Sequence, residues 1–107
     1  FDDGGRLMFI NEAGAKLLGY DKAELHGQAI HYLIHHTRAD GREYPIEECP
    51  MHAAFADGTA SNIDDEVLWR KDGTSFAVEY TSAPLRKDGA LVGAVIVFHD
   101  ITERKIV

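Results

Sequence analysis

The chain has 107 residues, of which 45 % are apolar and 27 % charged, with a formal net charge of −7. That length supports one domain and one core, and the acidic balance argues against a nucleic-acid partner or an anionic membrane surface, both of which select Lys and Arg. No apolar run approaches the roughly 20 residues of a spanning helix, no basic-then-apolar leader opens the chain, and the lone Cys49 leaves no internal disulfide.

In chain order, residues 6–10 predict a short strand. Asn11 can cap a helix over Glu12–Leu18, and Gly19 can end it. Asp21 with Glu24 has capping-box spacing for one further turn, ending near Gly27. Residues 28–34 predict a third helical piece. Residues 35–49 are polar and turn-rich, and Pro45 and Pro50 prevent a long helix from crossing them. Pro50 suits the first turn of a helix running to about Ala56, with Met51, Ala54 and Phe55 as its apolar stripe.

The last third alternates with period two. In residues 63–70, Ile63, Val67 and Trp69 share one face and Asp64, Glu66 and Arg70 the other, as in a half-buried strand. Asp72-Gly73 turns the chain, because Gly reaches positive φ and Asp bonds its own backbone. Residues 75–85 follow, with Phe76, Val78 and Tyr80 on one side. Asp88-Gly89 turns it again, and residues 91–98 are apolar nearly throughout, as in a central strand covered on both faces. Helices and strands are segregated, so the predicted class is α+β, with the last three strands as an antiparallel meander.

Five pieces of this pattern resemble a known family. Gly5-Arg6-Leu7-Met8-Phe9-Ile10-Asn11, then Leu17-Leu18-Gly19-Tyr20, then Glu24-Leu25-His26-Gly27, resemble the opening of a PAS domain. Arg70-Lys71-Asp72-Gly73-Thr74 followed by Phe76 resembles its central hairpin. Residues 93–98 with Asp100-Ile101-Thr102-Glu103-Arg104-Lys105 resemble its last strand and exit motif. The resemblance implies a PAS fold, a five-stranded antiparallel sheet with short helices packed on one face and a ligand cavity between them. It implies one domain over residues 1–107, with the first strand at or before Phe1 and residues 100–107 beginning an exit helix. An incomplete sheet edge there would invite a partner strand.

The activity implied is that of a non-enzymatic sensory, ligand-binding and dimerising module cut from a larger cytoplasmic signalling protein of histidine kinase (two-component) or diguanylate cyclase type. It would work as a homodimer, relaying ligand or redox state to a covalently linked output domain through the Asp-Ile-Thr motif. Asp100, Thr102 and Arg104 are the coupling candidates, Asp100 as cap of the exit helix. Candidates for the pocket wall are Phe9, Leu18, Leu33, Phe55, Trp69, Val78, Tyr80, Val95, Val97 and Phe98. The cofactor stays open between none, a small molecule, haem and zinc.

His31 and His35, four apart, share a helical face, and Cys49 and His52 are three apart. Two such pairs suit a tetrahedral metal, against the simpler reading of solvated histidines in a polar loop. His52 precedes the meander as a haem-ligating His would, which gives an alternative haem- or metal-dependent gas or redox sensor using His52, His35 and Cys49. The following strand carries Asp64, Asp65 and Glu66, where haem sensors often place a basic residue. Cys49 lies in Glu48-Cys49-Pro50, unlike the reactive-cysteine motif of flavin photoreceptors, and reads as a buried thiol. Asp64-Asp65-Glu66 alternate across a strand, cannot converge, and read as a solvated edge. No nucleophile triad or Gly-rich phosphate loop supports an enzyme.

Overall fold

The computed structural model describes residues 5–105. Helix α1 (Glu12–Leu18) is capped by the Asn11 side chain, which accepts the Gly14 N–H at 2.8 Å, and ends at Gly19 with φ of 81°. A short α2 (Lys22–Leu25) follows, with the Glu24 carboxylate accepting the Asp21 N–H at 2.9 Å. Helix α3 (Ile30–Ile34), a 3-10 turn (Ile46–Glu48) and α4 (Pro50–Ala56) complete the helical layer. Each helix is too short to persist alone, so packing against the sheet holds it.

Strands β1 (Ser61–Trp69), β2 (Ser75–Lys87) and β3 (Ala90–Asp100) form one antiparallel sheet in the order β1-β2-β3. The chain leaves β3 into α5 (Thr102–Lys105). The core lies between sheet and helices, where Leu18, Leu25, Ile30, Met51, Leu68, Val78 and Tyr80 are nearly or wholly buried. Phe76, Val78 and Tyr80 point inward from alternate positions of β2, as period two requires.

Three expectations need correction. The described sheet has three strands, not five. Residues 6–10 contribute only an isolated bridge between Arg6 and Ala29. The backbone of this segment is bound to the loop before α3: Leu7 N–H donates to Gln28 at 3.0 Å, Gly27 N–H to Leu7 at 2.7 Å, and Ile30 N–H to Gly5 at 3.3 Å. The first strand expected at or before Phe1 lies outside the described residues.

Second, β3 lies at one edge of that sheet rather than at its centre, and Val92, Val95 and Val97 are 44–52 % exposed. Third, a bulge between Ile63 and Glu66 places two residues of β1 opposite one of β2. Such a bulge shifts the strand by one position and reverses which side chains face inward. Beyond it Glu66 and Leu68 pair with Val78 and Phe76, so the even-numbered residues turn toward the core.

Candidate functional site

Two features lie between helices and sheet. One is an open-mouthed apolar cavity of about 820 Å³, with walls from the segment around Met8 and Phe9, from α1, from α3 and from β3. A volume of this order suits a small organic ligand. Of the pocket candidates, Phe9, Leu18, Val95, Val97 and Phe98 stand on this wall. Leu33, Trp69, Val78 and Tyr80 do not: Leu33 packs on the core from outside, and Val78 and Tyr80 are core residues with no exposure. The Trp69 indole N–H donates to the Thr37 carbonyl at 2.8 Å and its ring stacks on His36. The Phe55 side chain lies outside the described residues.

The cavity wall follows β3 to His99 and Asp100. Asp100 there accepts the Thr102 N–H at 2.9 Å and its hydroxyl at 2.5 Å, with Arg70 3.8 Å away. These bonds, with the Arg70 charge, hold the Asp100 carboxyl below its usual range. Ile101, buried, donates its N–H to the Ala77 carbonyl of β2 at 2.9 Å. Asp100 therefore caps α5 through Thr102, two residues on. The Arg104 side chain lies outside the described residues.

The second feature is a buried polar cluster. The rings of His31 on α3 and of His35, the residue that ends that helix, meet Cys49, the residue before α4; all three are buried. His35 Nδ1 lies 3.1 Å from Cys49 Sγ, and its Nε2–H donates to Glu66 at 2.8 Å. The Tyr44 and Tyr80 hydroxyls donate to the two oxygens of the same carboxylate, each at 2.5 Å. His31 donates its Nε2–H to the Tyr44 carbonyl at 2.8 Å. His52, also named as a candidate ligand, is half-buried on α4; the three donors that converge among the described residues are His31, His35 and Cys49.

Electrostatics follow from these contacts. Burial pushes the His35 pKa down, but the bonds to Cys49 and Glu66 outweigh it and raise it. Burial pushes the Cys49 thiol up, yet the two imidazoles and the His52 N–H outweigh it and lower it, favouring thiolate. Burial likewise pushes Glu66 up, and the bonds from His35, Tyr44 and Tyr80 outweigh it and hold it below 4.5. Burial and the neighbouring Glu66 carboxylate keep both tyrosines protonated.

The Glu66 network predicts acid-sensitive stability. Its folded pKa is depressed, so its contribution is in place above the ordinary 4.5 and is lost as pH falls through the lower folded value. Denaturant melts between about pH 6 and pH 3 are expected to show a steeper loss for the wild type than for Glu66→Gln. Parallel slopes for the two proteins would contradict this reading.

Glu66 and Tyr44 escaped the sequence reading. The expectation that Glu66 is solvated is overturned by its bonds to three core residues, because the bulge was invisible as residue alternation. The only available hint was the Asp64-Asp65 pair, whose residues are both exposed.

The family profile of the PAS domain matches residues 1–103, and the chain belongs to that family of sensory domains. It is 31 % identical over 102 residues to the Probable diguanylate cyclase DgcE of Escherichia coli strain K12. That match covers 94 % of this chain and 9 % of the relative, so the chain spans a small part of the relative's length. In structure it is similar to the PAS domain of an HTR-like protein from Haloarcula marismortui, with TM-score 0.68, 18 % identity and coverage of 94 % and 77 % of the two chains. It is also similar to a light-oxygen-voltage domain studied with a flavin analogue, with TM-score 0.72, 20 % identity and coverage of 94 % and 70 %. No helix among the described residues is long and apolar enough to cross a membrane.

Proposed function

We propose that this PAS domain binds an apolar small molecule in the cavity beside β3 and passes its occupancy to an output domain through Asp100 and α5. The observation that carries the reading is continuity. One strand supplies Val95, Val97 and Phe98 to the cavity wall, and that wall ends on Asp100, where the chain leaves the sheet. A ligand against β3 therefore presses on the element that sets the exit direction of α5.

The similarity to a diguanylate cyclase supports a nucleotide cyclase as the output domain over a histidine kinase. The edge position of β3 among the described residues and the exposed valines on it support a homodimer. The domain itself performs no turnover; its role is to bias the output domain between states that differ in their contacts with the ligand.

Native mass spectrometry and titration with an apolar fluorescent probe test this. The expected result is a dimer that binds one probe per chain, with Val95→Trp, which fills the mouth of the cavity, weakening the probe at least about tenfold. Equal probe affinity in wild type and Val95→Trp would overturn the cavity reading. A monomer at all concentrations would overturn the dimer.

A further inference from the structure

The cavity leaves the histidine–cysteine cluster unexplained. One ring nitrogen from His31, one from His35 and the Cys49 sulfur all lie within 4.8 Å of one another. The opposite nitrogen of each ring is committed. His31 Nε2 faces the Tyr44 carbonyl, which can only accept, and His35 Nε2 faces the Glu66 carboxylate. Each ring therefore carries its proton on Nε2, and in the neutral ring Nδ1 holds a lone pair. A ring that donates outward to a carbonyl or carboxylate while presenting its other nitrogen inward is how proteins orient metal-ligating histidines.

The metal-free cluster is left unsatisfied. A single proton shared between His35 Nδ1 and Cys49 Sγ serves those two atoms, whereas His31 Nδ1 is buried with no hydrogen-bond partner. A buried polar atom in that state costs free energy. One cation would use all three donors at once, and bond lengths near 2.0–2.3 Å need only a small closing movement of a cluster this compact.

We propose that His31, His35 and Cys49 form a three-coordinate site for a single Cu(I) ion, a metal site separate from the ligand cavity. Thiolate with two imidazoles is a soft donor set that selects copper or zinc. Burial favours the first. Cys49 is 1 %, His35 0 % and His31 4 % exposed, so bulk water is shut out and the site suits an ion satisfied by three protein donors better than Zn(II), which needs a fourth ligand. On binding, the Cu–S and Cu–N bonds form as the proton shared between His35 Nδ1 and Cys49 Sγ leaves for solvent, and no atom changes oxidation state. Glu66 and the Tyr44 carbonyl act as positioning groups.

The test is anaerobic titration of untagged protein with Cu(I) against a chromophoric Cu(I) chelator, followed by elemental analysis. The expected result is one copper per chain, a near-ultraviolet thiolate–copper band, and X-ray absorption showing one sulfur and two nitrogen neighbours. Cys49→Ser should weaken binding at least a hundredfold, and Glu66→Gln about 10–100-fold through the orientation of His35. His26→Ala, on an exposed residue, should change nothing. Absence of the band in the wild type, or oxygen in place of sulfur around the metal, overturns the site even if the variants fail to fold. One bound zinc and no copper overturns the choice of metal. Either result leaves the apolar-ligand reading untouched, since that is read by the Val95→Trp titration.

Discussion

Glu66→Ala is expected to lower the free energy of unfolding by about 3–5 kcal/mol, as removal of one member of a buried charged network does. The residue looks expendable, one of three consecutive acids, yet its carboxylate accepts from His35, Tyr44 and Tyr80. Truncation leaves two hydroxyls and an imidazole N–H in the core without an acceptor, and each such orphan costs about 1–3 kcal/mol. Glu66→Gln retains one oxygen of similar reach but turns the other into a donor facing a donor, so a loss of about 1–3 kcal/mol is expected. Asp65→Ala, one position away and exposed, should fall within about 0.5 kcal/mol of wild type. Urea denaturation of the three variants measures this ordering. A Glu66→Ala loss under about 1 kcal/mol would mean that the network contributes nothing net.

The second large effect is expected from Leu18→Ala. Leu18 ends α1, has no exposure, and faces both the core and the cavity. Truncating a fully buried Leu costs about 2–5 kcal/mol, with the upper end reached where the surroundings cannot collapse. Here one side is already open, so the void joins an existing cavity and relaxation is limited. An apolar compound that occupies the enlarged space should restore part of the loss, because a ligand that binds only the folded state stabilises it in proportion to occupancy. Thermal melts of Leu18→Ala with and without the probe measure this. Melting identical to wild type, or equal stabilisation of both proteins by the probe, would show that Leu18 does not separate core from cavity.

The parts of the fold with a local cause were legible in the sequence. Asn11 and Gly19 bound α1, Asp21 and Glu24 start α2, Pro50 opens α4, and Asp72-Gly73 joins β1 to β2, each through a bond or a backbone angle set within a few residues. Family resemblance added the fold and the exit at Asp100. What failed was non-local. Whether residues 6–10 join the sheet depends on partners far along the chain, and here backbone groups of Gly5 and Leu7 are taken by Gly27, Gln28 and Ile30. The side on which Glu66 lies depends on a two-against-one mismatch with β2. His31, His35 and Cys49 were legible as a set because helical spacing brings the first two together. That Glu66 would stand behind them, 31 residues beyond His35, was not.

The extra residue in β1 also sets what the strand tolerates in length. Deleting Asp64 or Asp65 would leave a single residue opposite Glu79, with Ile63 still against Tyr80 and Glu66 still against Val78, so Glu66 and Leu68 would keep facing the core. Deleting both would put the strand one position out of step with β2, and Glu66 and Leu68 would swing out to solvent while Val67 and Trp69 swung in. Two missing codons at this spot would therefore be far more damaging than one.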